Sequence, residues 1–444
     1  MENEPLLHIA FDDTDSRVGR CTTHLAFKVA GHLNRMGAHL ADYPLLIRLN
    51  PNVPWKTRGN GAVCLRIRTN DPAGVIDGVK QFVQEGSAIG AGANPAVAFF
   101  LGERTPDALT TFSASAMSDI LSRQKAEKIA KENHVQYFMY GNGQGLVGSL
   151  AAMGCLLENG DYTFEAIAYR KQENCGAPRV IDGQKVIQCS KDTFPNTFNN
   201  YDKNHNRVLI APHGPDPVFC GVRGERPDTV VCALAALQPE ETLDGYMVFR
   251  SNQGTNMHLQ KELVMKDAKA YSAGRIRCTV KEMPQAVKGG HVLFTVDDSS
   301  ASMIAAIYEP TGLANVAAKL EVGDKIEIGC GIRKPTSKHP KVLNVEYLLV
   351  LELAEVFDVF NPLCKICGKR LKSEGRNKGF QCEKCKFKDA SATKIFLPRK
   401  RQLDLGLYVP TPKAHRHLTK PLQRYGLEKS SFTFELYKNW YSEN

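Results

Sequence analysis

The chain predicts a multidomain protein of α/β and α+β character, and three observations carry that expectation. Strands alternate with helices through the first half, five short strands crowd into about 80 residues after position 270, and two Cys-x-x-Cys pairs stand near the C-terminus. At roughly 150 residues per domain, the length of 444 residues allows three or four domains. Apolar residues at 43% and charged residues at 23% describe a globular chain with material for several cores, and exclude a disordered or fibrous one. No uninterrupted apolar run reaches the ~18 residues that span a bilayer. The acidic start, MENEPLLHIAFDD, lacks the basic and apolar regions of a secretory signal. The expectation is a soluble, cytoplasmic protein with no membrane contact, and the sequence points to no protein partner.

His8–Phe11 reads as a short buried strand that runs into Asp12-Asp13-Thr14-Asp15. Leu25, Val29, Leu33 and Met36 then recur at helical spacing, with Thr22 and Thr23 where an N-cap belongs. Prolines and glycines make 48–61 a loop, which leads into the strand around Val63, Leu65 and Ile67. A helix near 72–86, a strand near 96–100, a helix near 117–132 and a strand at 135–140 follow. Gly141–Gly148 turns into an Ala- and Leu-rich helix ending near 159, and 162–170 reads as another strand. From 274 to 351 the five short strands enclose one helix, at 313–320, between the third and fourth. That is the outline of an OB-fold barrel, a frequent binder of single-stranded or looped nucleic acid.

Thirteen cysteines divide into two kinds. Nine are scattered singly and read as reduced thiols. The other four form Cys364-x-x-Cys367 and Cys382-x-x-Cys385 with 14 residues between the pairs, a spacing that lets four thiolates enclose one structural, closed zinc site. The net charge of +10 is localised in the same region. Residues 361–444 hold 19 Lys and Arg against 7 Asp and Glu, while the rest of the chain holds 38 against 40. A basic module attached to a near-neutral body points to nucleic acid. It also predicts that truncation at 360 weakens RNA binding and leaves nucleotide chemistry intact.

Three carboxylates in four residues, Asp12, Asp13 and Asp15, repel one another unless a cation neutralises them, and magnesium prefers one or two carboxylates plus phosphate oxygens. A solvated Asx-type turn is the simpler alternative, and it explains one aspartate better than three. Lys56 and Arg58, ahead of Gly59-Asn60-Gly61, offer cations to phosphate. Gly143, Gly145 and Gly148 at a helix start offer backbone N–H groups. No Walker sequence is present.

The segments FDDTDS (11–16), CTT (21–23), RLNPNVPWKTRGNGA (48–62), GQGLVGSLAA (143–152), IAYR (167–170), GVRGE (221–225), the cysteine module at 361–385 and HRHLTKPL (415–422) together resemble the archaeal agmatidine synthetase family, TiaS. The resemblance implies a kinase-like domain (1–125, open to inclusion of later segments), a ferredoxin-like domain (126–265), an OB-fold (266–356) and a zinc ribbon with a basic tail (357–444). It implies ATP-dependent joining of agmatine to position 2 of the wobble cytidine in the CAU anticodon of an isoleucine tRNA, through a phosphorylated cytidine. By motif, Asp12, Asp13 and Asp15 would hold magnesium and ATP, and Thr22 would be an autophosphorylated hydroxyl. Lys56, Arg58, Asn60, Gly143, Gly145 and Gly148 would meet the nucleotide, and Ser251, Asn252 and Asn256 the agmatine. Gln144 stands where the family pattern has a basic residue. Two other readings are an ATP-dependent RNA-modifying enzyme using another amine, such as lysine, and a non-catalytic nucleic-acid binder.

Overall fold

The computed structural model describes residues 4–337 and 340–444. Its centre is one sheet of eleven strands, running from one edge through Gln136–Met139, Ala96–Leu101, Leu6–Asp12, Gly61–Arg68, Leu45–Arg48, Leu243–Ser251, Thr163–Arg170 and Val218–Gly224 to Thr197–Phe198. The alternation of strands and helices leads here to antiparallel pairing. Gly61–Arg68 slots between Leu6–Asp12 and Leu45–Arg48 and pairs antiparallel with both, so the helix Thr22–Arg35 bridges two strands that never touch. The two halves of the sheet join through a parallel pairing, Arg250 opposite Leu45 and Ser251 opposite Leu46.

The helix Gly145–Gly154 is apolar on every side, and all its residues but Val147 are buried. A helix of that kind belongs inside. It packs on Leu6–Asp12, on Gly61–Arg68 and against the helix Asp107–Ser118, and the strand Gln136–Met139 before it pairs with Ala96–Leu101. Residues 136–154 therefore share the core of the first hundred residues. After Gly154 the chain turns, and the buried Arg250 guanidinium donates to the carbonyls of Leu156 and Leu157, both at 2.8 Å.

Two expected helices differ. The helix near 117–132 is two, Asp107–Ser118 and Arg123–Glu132, because the Ser122 hydroxyl accepts the Lys125 N–H and starts a new helix after a turn. At the first helix Cys21 is the N-cap residue, with no side-chain cap bond, and Thr22 and Thr23 lie inside the first turn.

The barrel strands are Ala273–Val280, His291–Asp297, Ser302–Ile307, Lys325–Arg333 and Val342–Glu352. Ala273–Val280 pairs with both Lys325–Arg333 and His291–Asp297, which closes the barrel around Ile276, Phe294, Ile328 and Leu348. The helix between the third and fourth strands is short, Ala314–Ala317. The cysteine ribbon follows with its own small core.

The basic tail is not a detached module. Gly406–Tyr408 adds to the barrel beside Val342–Glu352, and Tyr441–Glu443 adds to the central sheet beside Leu243–Ser251. Between them Leu418, Lys420 and Arg424 are buried. No helix among the described residues is long and apolar enough to cross a membrane.

Candidate active site

A cavity of about 490 Å³ opens where the two halves of the sheet and the tail meet. The strand Leu6–Asp12 ends in it, and Asp13 takes a left-handed backbone (φ 56°), which a short polar side chain tolerates. Asp12, Asp13 and Asp15 all line the cavity, with Thr22 at the start of its helix beside them. Thr14 donates its hydroxyl to the Thr22 oxygen at 3.0 Å.

Only Asp15 of the three carboxylates has an ion-pair partner among the described residues, Arg58. Burial first, and Asp13 second, hold the Asp12 carboxyl well above the usual carboxylate range. Burial and the neighbouring Asp15 push Asp13 to about 6. Burial also raises Asp15, against the pull of Arg58 at 3.2 Å. A folded chain that holds this proton more tightly than the unfolded chain is favoured at low pH and loses that stability as pH rises through about 6. Asp13→Asn is therefore expected to raise the melting temperature of the ligand-free protein at about pH 7.5 and leave it unchanged near pH 4. Equal shifts at both pH values speak against the assignment.

The glycines fall into two roles. Gly148 lines the cavity, and a Cβ there would lie 1.8 Å from Asp12 Oδ2. A Cβ on Gly145 would lie 2.5 Å from the Asp12 carbonyl oxygen. These two let the helix lie directly on the aspartate-bearing strand, and Gly145 lies outside the cavity lining. Gly143, also outside it, forms the preceding turn at φ 70°.

Lys56, Arg58 and Asn60 also line the cavity, with Arg58 in contact with Asp15. The Arg58 guanidinium holds the carbonyls of Ser16 (2.9 Å) and Arg20 (3.0 Å), and the Asn60 amide holds the Asn50 carbonyl at 2.8 Å. Both thus shape the loop, and the Lys56 ammonium also holds one loop carbonyl, that of Val53, at 3.3 Å. Ser251, Asn252 and Asn256 do not reach the cavity. Ser251 donates to the Leu46 carbonyl, Asn252 holds both the N–H and the carbonyl of Arg48, and Asn256 contacts the Tyr425 hydroxyl and the Lys420 N–H.

Four lining residues are not among those the sequence singles out, although Arg223 stands in the GVRGE string. Arg48 is half-buried, its buried Nε has no hydrogen bond among the described residues, and Glu165 lies 3.9 Å from its guanidinium. Arg223 holds Glu165 at 3.0 Å. Asp216 is 2% exposed with Oδ2 unpartnered by hydrogen bonds, 3.9 Å from Arg58. His417 arrives from the tail. The motif strings RLNPNVPW and HRHLTKPL contain the first and last of these, but nothing local shows that they meet. Tail residues Lys413, Arg416 and His417 line this cavity, so truncation at 360 would remove part of its lining, and the site is not confined to a domain separate from the tail.

The four ribbon cysteines converge separately. Their sulfurs lie within 4.8 Å of one another, with Cys364–Cys385 and Cys367–Cys382 both at 3.5 Å. A tetrahedral zinc with ~2.3 Å bonds needs sulfurs about 3.8 Å apart, so this donor set fits zinc and leaves no open position. Replacing Cys364 and Cys367 together by Ser is expected to release about one equivalent of zinc and unfold the ribbon. Unchanged zinc content after that double substitution contradicts the assignment.

Three family models match the chain: the TiaS TCKD domain over residues 8–97, the TiaS FLD domain over 143–258 and the TiaS C-terminal zinc ribbon domain over 361–403. The tRNA 2-agmatinylcytidine synthetase TiaS of Cenarchaeum symbiosum is 41% identical, across 95% of this chain and 93% of its own length. Among solved structures, TiaS in complex with an isoleucine tRNA and ATP superposes with a TM-score of 0.83 at 34% identity, covering 95% of this chain and 97% of that one. TiaS in complex with the same tRNA, AMPCPP and agmatine gives 0.82 at 32% identity, over 95% and 97%.

Proposed function

The chain belongs to the TiaS family of tRNA 2-agmatinylcytidine synthetases, and on that premise we propose that it joins agmatine to carbon 2 of the wobble cytidine in the CAU anticodon of an isoleucine tRNA at the expense of ATP. The observation that carries this reading is the composition of one cavity. It holds the carboxylates of Asp12, Asp13 and Asp15, their pKa values raised by burial and, for the first two, by an acidic neighbour, together with the cations Arg48, Lys56 and Arg58.

A carbonyl oxygen on a cytosine ring is a poor leaving group until it is converted to a phosphate ester. Phosphoryl transfer requires positioning and charge neutralisation more than covalent help from the protein. Asp12, Asp13 and Asp15 would hold magnesium, which would neutralise triphosphate charge when bound. Among the described residues only the cysteines form a compact group of three or more ligands, so the aspartates fit an ion that keeps phosphate oxygens in its shell. The start of the helix Thr22–Arg35 presents unpaired N–H groups to an anion, and the Thr22 hydroxyl there is the proposed phosphoryl acceptor. Lys56 and Arg48 would meet the phosphates or the phosphorylated cytidine. Agmatine is a dication, and Asp216 is placed to receive one of its charged ends, since a buried carboxylate oxygen without a hydrogen bond costs free energy until a donor reaches it. Zinc in the ribbon is structural, and its module adds positive surface for the RNA backbone.

Incubating the protein with labelled agmatine, ATP and the CAU-anticodon tRNA tests the reading. Label is expected in the tRNA only when all three are present. Incorporation of lysine in place of agmatine, or RNA binding with no ATP turnover, supports the other two readings instead.

A further inference from the structure

Resting on that function, we propose that His417 is the proton acceptor for the attacking amine of agmatine, with Nε2 as the receiving atom. The amine must lose a proton as its bond to carbon 2 forms, and none of the groups assigned above to the nucleotide performs that task. Glu165 is engaged with Arg223 at 3.0 Å and with Gln253. Asp119 is engaged with Lys261 at 2.6 Å and Ser272 at 2.7 Å. His415 uses both ring nitrogens, on Asn199 Oδ1 and the Pro410 carbonyl, each at 2.8 Å. His213 faces Arg207 at 3.0 Å.

His417 differs from all of these. Gln253 donates its amide to Glu165, which turns its oxygen towards His417 Nδ1 at 3.0 Å. The imidazole therefore carries its proton on Nδ1 and leaves Nε2 as a bare acceptor, because turning the Gln253 amide over would set oxygen against a carboxylate. Arg223 approaches the same Nδ1 at 3.3 Å, the weaker contact. Nε2 has no hydrogen-bond partner among the described residues and faces the cavity past Gly59, where a Cβ would stand 2.6 Å from it. Burial between Arg48 and Arg223 keeps the ring neutral. Glu165, Gln253 and His417 thus form a chain in which one group orients the next and the last presents a lone pair.

The step balances as follows. The ammonium of agmatine first gives one proton to solvent, and the neutral amine so formed attacks carbon 2 as the carbon–nitrogen bond forms. The bond from carbon 2 to the phosphate oxygen breaks, with its electron pair leaving on phosphate. One N–H proton passes to His417 Nε2 and from there to the departing phosphate, released as hydrogen phosphate.

His417→Asn keeps an amide N–H for Gln253 and removes the base, and Gly59→Ala sets a methyl against the Cδ2–Nε2 edge of the ring and against the Arg48 guanidinium. Single-turnover measurements on the full chain with tRNA, ATP and agmatine should show cytidine phosphorylation slowed by less than about tenfold in His417→Asn. Agmatine transfer should fall by about 10²–10⁴-fold, the usual worth of a positioned base, and free imidazole should restore part of the transfer in His417→Asn. Transfer by His417→Asn near the wild-type rate overturns the proposal, and so does an equal fall in both steps with no rescue by imidazole. A wild-type chain that phosphorylates the cytidine but never takes agmatine overturns the functional reading beneath it.

Discussion

Asp12→Asn is expected to lower ATP-dependent agmatine transfer by about 10²–10³-fold or more, the scale of removing one preorganised electrostatic contact from a transition state, while tRNA affinity stays within about threefold of wild type. Several observations make this substitution a clean test. Asp12 is half-buried at the end of its strand, with desolvation and the neighbouring Asp13 pushing its carboxyl well up the pH scale, so the ligand-free protein already favours a neutral group there. Asparagine has the same size and stays neutral, so the close approach of Gly148 to the side chain is preserved. The fold should therefore lose nothing, and the loss should fall on the chemistry that needs a negative charge. Rates should be read beside a melting curve and a tRNA-binding isotherm. Near wild-type turnover by Asp12→Asn, Asp13→Asn and Asp15→Asn alike would place the phosphoryl chemistry somewhere else.

Arg424→Ala is expected to destabilise the protein by about 3–5 kcal/mol, the range for breaking a buried charge network by removing one partner. Its guanidinium is fully buried and bonds Asp161 through two nitrogens at 2.9 and 3.0 Å, and Glu225 and the Gly254 carbonyl at 2.5 Å each. Deleting it leaves two buried carboxylates with only Lys420 and Lys429 nearby. The consequence should reach the active site, because the same segment carries Arg416 and His417 into the cavity wall. A lower melting temperature, earlier proteolysis after residue 403 and loss of agmatine transfer should appear together. A melting temperature unchanged within error would show that the tail is held by other contacts.

Much of this architecture was legible residue by residue. Local periodicity marked the first strand, the helix Pro72–Gly86 and the five barrel strands to within a few residues, because alternation and helical spacing report the burial of neighbouring side chains. The aspartate cluster and the cysteine pairs were equally legible, since ligands for one centre often lie a few residues apart. The helix expected near 117–132 went astray because Ser122 caps a fresh helix and no periodicity announces the break.

By itself, then, the sequence determined most elements up to residue 170, the five barrel strands, the cysteine knuckles and the clustering of the carboxylates, each specified by residues a turn or a strand apart, while the elements between residues 171 and 272 were not predicted. Tertiary structure decided that the two halves share one sheet, that the basic tail is an inner wall, and that Arg48, Asp216 and His417 face one another across a single cavity. Those contacts join residues far apart in the chain, 164 positions for Gln253 with His417 and 263 for Asp161 with Arg424. Local patterning cannot encode such pairs, because closing loops of that length costs nearly the same entropy for many alternative partners. Only the packed core and the matched buried charges select among them.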